Sequence, residues 1–101
     1  LDRFSKYGVP MFVTENGIAT GDDSLRCSFL MEHLQVVANA LAEGKNILGY
    51  IHWSLIDNFE WHLGYEPQFG LAEVDFYSFE RHAKPSADLF SQICRSRRVI
   101  P

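Results

Sequence analysis

A short apolar run, Met11-Phe12-Val13, leads into Thr14-Glu15-Asn16-Gly17. A carboxylate at the end of a strand is aimed by that strand, as a loop acid is not. It can serve as a nucleophile or as a general acid or base. A second cluster occurs in "HWSLIDNFEW", where Trp53, Phe59 and Trp61 are interleaved with Asp57, Asn58 and Glu60. Flat indole faces pack on the C–H faces of a sugar ring, while carboxylate and amide groups bond its hydroxyls. By composition alone the same cluster also fits an aromatic core with a polar rim, and Glu15 an exposed loop acid.

Other chemistries find less support. His33, His52, His62 and His82 lack metal-ligand spacing, so no metal is expected. His33 reads as a surface or rim residue of a helix. His52 adjoins Trp53 on a strand and should face the opposite way. The glycines form no phosphate-cradling pattern and no Gly-x-Ser-x-Gly elbow is present, so no cofactor is expected. Cys27 and Cys94 have neither disulfide-framework density nor ligand spacing and read as free thiols.

The elements that must position these residues follow from hydrophobic pattern. Residues 9–14, "VPMFVT", read as a short apolar strand, and residues 46–55, "NILGYIHWSL", as another. Between them Leu30, Leu34, Val37 and Leu41 recur at helical spacing, with Met31 and Ala38 widening the stripe. Asp22, Asp23 and Ser24 are capping candidates, and Gly44 is a C-terminal stop. Strands apolar on both faces and joined by a helix predict a parallel βαβ unit. Residues 56–70 have no clean period and read as an aromatic loop. "GLAEVDF", residues 70–76, alternates like a short strand, and "KPSADLFSQICRSRR" predicts a helix with Pro85 near its start and Arg95 and Arg97 at its end.

The chain has 101 residues and a net charge of −4, which argues against a nucleic-acid partner. No apolar run is long enough to span a bilayer, so no membrane partner is expected. The opening "LDRFSKYGVP" lacks a basic start and apolar core, which favours the cytoplasm. It also lacks an initiator Met, so the expectation is a chain that starts in mid-protein. Two βα units close no sheet, and residues 1–101 are expected to form no complete domain.

These motifs carry a specific resemblance. "PMFVTENGIA" resembles the nucleophile motif of family 1 glycoside hydrolases, the β-glucosidases and β-galactosidases. "GYIHWSLIDNFEWHLGYEPQFGLAEVDF" is similar to that family's next block, and "RHAKPSADLFSQI" to its closing segment. The resemblance implies an α/β fold, a partial (β/α)₈ TIM barrel made of the last two βα units, with residues 9–14 as the seventh strand and 47–53 as the eighth. It implies retaining hydrolysis of β-glycosides, with Glu15 as nucleophile and its Asn16-Gly17 turn releasing the backbone. Trp53 would stack under the glycone, Glu60 would bond the far hydroxyls with Trp61 beside it, and Phe69 would wall the pocket. Family members acting on phosphorylated sugars carry serine where this chain has Glu60, so neutral hexosides are the expected substrates.

Gln68 stands where the family usually has arginine, and His52 where an apolar residue is usual. The family's asparagine–glutamate–proline motif, which holds the acid/base, is absent. The expected partners are therefore a β-glycoside and a missing N-terminal part of the same barrel, without which the chain should be inactive. The rival expectations are a non-catalytic sugar-binding chain and a truncated remnant.

Overall fold

The structure, a computed structural model, describes residues 1–99. A single-turn helix, α1 (Asp2–Ser5), precedes the first strand, β1 (Met11–Asn16). The long helix α2 (Asp23–Ala42) crosses over to β2 (Ile47–His52), which pairs with β1 in parallel. This is the βαβ unit expected from the pattern. β1 starts and ends two residues later than predicted, so Glu15 and Asn16 lie within the strand.

Local chemistry sets the bounds of α2. Asp22 Oδ1 accepts hydrogen bonds from the Ser24 backbone N–H at 2.9 Å and from its hydroxyl at 2.6 Å, capping the N-terminus. At the other end Gly44 has φ +84°, and two bonds close a Schellman turn: Gly44 N–H to Leu41 O and Lys45 N–H to Ala40 O, each 3.0 Å. Leu30 and Leu34 are buried as the stripe requires, whereas Leu41 is exposed.

The second half forms a β-hairpin and a helix. β3 (Ala72–Val74) pairs antiparallel with β4 (Arg81–Ala83), and α3 (Pro85–Ser96) follows with Pro85 in its first turn. β4 went unpredicted. Its turn is built on Asp75, whose carboxylate accepts from Tyr77 N–H at 2.8 Å. Leu30, Leu34 and Leu71 form the buried core, flanked by Tyr50, Ala87, Phe90, Ile93 and Val99.

α2 and α3 are joined at their N-termini. Asp23 accepts from the Ser86 backbone N–H at 2.8 Å and its hydroxyl at 2.7 Å, and Ser86 is fully buried. Arg26, also buried, bonds Asp23, the Thr20 carbonyl and the Gln68 carbonyl. Burial pushes the Asp23 carboxyl up, but the Ser86 and Arg26 bonds outweigh it and hold it below the usual range. The predicted burial of both strands on both faces does not hold within this chain. Phe12 and Ile51 are exposed, because α2 and α3 cover one face of the two-stranded sheet and the other is open.

Candidate active site

Period-two alternation from Val13 would put Glu15 on the same face as Val13. Val13, however, lines a cavity of about 310 Å³ together with His33, Val36 and Val37 of α2. A regular strand would therefore turn Glu15 under the helix. The pairing register is broken at this point: Val13 lies opposite Tyr50, and Asn16 lies opposite His52. Three steps on β1 match two on β2, which is a β-bulge. Asn16 consequently lines the same cavity as Val13, and its neighbour Glu15 turns to the other, open face. Glu15 is solvent-exposed there.

Gly17 has a different role from the turn that "TENG" suggested. Its φ is not in the left-handed region. Instead a Cβ on it would collide with the backbone carbonyl of Trp53, whose carbon lies 2.8 Å from that position. The Asn16 carbonyl also accepts from Trp53 N–H at 2.9 Å. The chain after Glu15 thus lies directly against the residue expected to carry the sugar.

Trp53 is half-buried just past the end of β2, and the Trp53–Ser54 peptide is cis. Its indole Nε1–H donates to Glu60 Oε1 at 3.1 Å. A carboxylate has about four lone-pair positions, so Glu60 keeps capacity for ligand hydroxyls while its orientation is fixed by the indole. The tight 3₁₀ turn Trp61–Leu63 follows, with Glu60 N–H bonded to Gly64 O at 2.7 Å. Trp61 is 81% exposed with φ +50°, a flat apolar surface facing solvent. Phe69 is half-buried, and its carbonyl accepts from Ser54 N–H at 3.1 Å, holding it beside the end of β2.

Asp57 and Asn58, which composition had suggested as sugar ligands, are used internally. The buried Asp57 pairs with Lys84 Nζ at 3.0 Å and accepts from Gly70 N–H at 2.7 Å. Lys84 also donates to the Gly70 carbonyl at 2.9 Å. Asn58 donates to Ser54 Oγ at 3.1 Å and to the Ile56 carbonyl at 3.2 Å. Together they close the base of the loop that displays Glu60, Trp61 and Phe69. Lys84 carried no sequence signal, since its partner lies 27 residues away.

His52 does face away from Trp53 as expected. It is buried near Phe90, with Nε2 3.3 Å from the Phe69 carbonyl, and burial lowers its pKa. His33 departs from the expected rim position. It stacks on Phe29 with centroids 3.7 Å apart and meets Asn16 Oδ1 at 3.0 Å. Among the described residues no cluster of three or more His, Cys, Asp or Glu side chains could hold a metal ion, and no helix is long and apolar enough to cross a membrane.

The model of glycosyl hydrolase family 1 matches residues 3–99. The chain belongs to this family. It is 41% identical over 99 residues to a β-galactosidase of Sulfolobus acidocaldarius, covering 98% of this chain and 20% of that protein. It is 36% identical to a 6-phospho-β-galactosidase of Staphylococcus haemolyticus, over 88% of this chain and 21% of the relative. Among solved structures, the β-glycosidase of the hyperthermophile Thermosphaera aggregans superposes with a TM-score of 0.93 at 40% identity, over 98% of this chain and 21% of that one. The family 1 fold is the TIM barrel, and glycoside hydrolysis is the chemistry of these relatives. The chain spans about a fifth of their length.

Proposed function

We propose that this chain is the C-terminal part of a retaining β-glycosidase, with β1 and β2 as the seventh and eighth strands of its barrel. The observation that carries the reading is the placement of Glu15. It stands at the C-terminal end of a parallel strand, where barrel enzymes assemble their sites, and a bulge turns it to the open face, next to the residue whose carbonyl bonds Trp53 N–H. In this reading Trp53 supports the glycone ring and Glu60 accepts from its hydroxyls. Trp61 and Phe69 line the same pocket.

Glu15 attacks the anomeric carbon as the aglycone oxygen departs with a proton from an acid in the remaining part of the barrel. The glycosyl ester on Glu15 is then opened by water, which gives its proton to the same group acting as base. Sugar is released with retained configuration and the Glu15 carboxylate is regenerated. The two carboxyls must lie about 5–5.5 Å apart for this route.

Glu60 favours neutral hexosides, because its charge repels a sugar phosphate and "EWHLGYEPQFG" offers no Lys or Arg. The test is covalent labelling of the full-length barrel that carries this chain with an activated 2-fluoro-β-glucoside. Peptide mapping should place the sugar on Glu15, and Glu15→Gln should abolish turnover while sugar binding persists. A label on another residue would refute the nucleophile assignment. Sugar binding with no labelling at all would favour the non-catalytic alternative. Faster hydrolysis of a 6-phosphoglycoside than of its neutral counterpart would refute the role given to Glu60.

A further inference from the structure

The bulge that aims Glu15 interrupts the parallel ladder between Val13 and Asn16. Side chains replace the interrupted ladder. Asn16 Oδ1 accepts from Tyr50 Oη of β2 at 2.8 Å and meets His33 Nδ1 of α2 at 3.0 Å. An amide oxygen only accepts, so His33 must present its hydrogen on Nδ1. Stacking on Phe29 fixes the plane of the imidazole. Burial pushes the Tyr50 phenol up to about 12, so it remains a donor at any working pH. Both donors lie on the face opposite Glu15, where neither can touch a sugar bound on the open side.

We propose that Tyr50 and His33 are positioning residues for the nucleophile: by holding the Asn16 side chain they lock the bulge and hence the direction of Glu15. The inference rests on the reading of Glu15 as nucleophile. Two rigid elements converge on one oxygen, one covalent step from the attacking residue. Misplacing a reacting group by about 1 Å costs about 10²-fold in rate, which is the scale on which such a lock would matter.

The test compares Tyr50→Phe, His33→Leu, their combination, and His33→Asn in the full-length barrel. Asn places an amide where Nδ1 stood and so keeps a donor. The readouts are the first-order rate of covalent labelling by the 2-fluoro-β-glucoside, the inhibition constant of glucose, and the melting temperature. The double variant should label about 10–100-fold more slowly, with glucose inhibition within about threefold of the parent and His33→Asn close to parental. Tyr50→Phe removes one oxygen, keeps the ring packing, and should show part of the loss in a folded protein. Labelling of Glu15 at the parental rate in Tyr50→Phe and in the double variant would overturn the positioning role and leave the nucleophile intact. Equal losses of labelling rate, glucose affinity and melting temperature would overturn it too, as the mark of a purely structural contact. Labelling at a residue other than Glu15 in the parent would instead remove the reading on which it rests.

Discussion

Separated from any partner, residues 1–101 should not hold the folded state. A folded chain of 11.6 kDa ordinarily exposes about 5,800 Å², whereas this one exposes 7176 Å². Its radius of gyration is 15.0 Å, against about 13 Å for a compact domain of this length. The surplus surface is about 1,300 Å². With an apolar share of about 55–60%, some 20 kcal/mol of burial free energy is left unrealised at about 25 cal/mol per Å². Net stability of a domain is only about 5–15 kcal/mol. Part of the surplus lies on the open face of the β1–β2 sheet, where Phe12 is 49% and Ile51 50% exposed. Both strands also have a free edge able to pair with another copy. The assay is size-exclusion chromatography, near-UV circular dichroism and a urea titration of the purified chain. The expected result is association or a loosely packed state, a shallow transition and no turnover of an aryl β-glucoside. A monomer with one sharp transition and a stability above about 5 kcal/mol would refute the surface argument.

Further outcomes are expected in the full-length barrel. Gly17→Ala should lower kcat more than tenfold and stability by about 1–3 kcal/mol, because its methyl meets the Trp53 carbonyl and no rotamer relieves backbone. Gly21→Ala, whose nearest neighbour would be Gln68 Oε1 at 3.8 Å, should be near neutral in the same kinetic and melting assays. Lys84→Met strands the buried Asp57 carboxylate and should cost about 3–5 kcal/mol by denaturation, with most of the loss recovered in Asp57→Asn/Lys84→Met. His52 has a folded-state pKa below its ordinary 6.5 because it is buried. The unfolded chain therefore binds the proton first, and the contribution of His52 to stability, complete above pH 6.5, is lost as pH falls through the folded pKa. Melting temperatures from pH 8 to 5 should drop less steeply in His52→Gln than in the parent.

What was legible in the sequence was local. The Asp22 cap, the Gly44 stop and the Pro85 start each act within a turn of their own position, so residue type sufficed. The two strands and their parallel pairing followed from apolar runs separated by a helix. β4 escaped because "RHA" is only three residues long and exposed throughout, and its partner supplies the ladder. The roles of Asp57 and Asn58 escaped because composition does not distinguish a carboxylate facing a ligand from one facing Lys84. The bulge was invisible for a similar reason: nothing in "FVTEN" marks an unpaired step, which exists only relative to β2.

The open question in "TENG" is why four residues of this kind occur together, and the contacts of Asn16 and Gly17 answer it. Under the proposed function, a carboxylate that must strike one carbon needs both a direction and a fixed distance to the platform holding that carbon. The bulge sets the direction of Glu15. Asn16 bonds Trp53 through its backbone carbonyl and the α2–β2 pair through its side chain. Gly17 lets the two backbones close to a separation that any side chain would forbid. Glu60 then extends the same chain of contacts through the indole N–H. Glu15, Trp53 and Glu60, the proposed nucleophile, platform and hydroxyl acceptor, are thereby linked through these contacts, and under that proposal a substitution at any link should register as a change in rate before it registers as a change in fold.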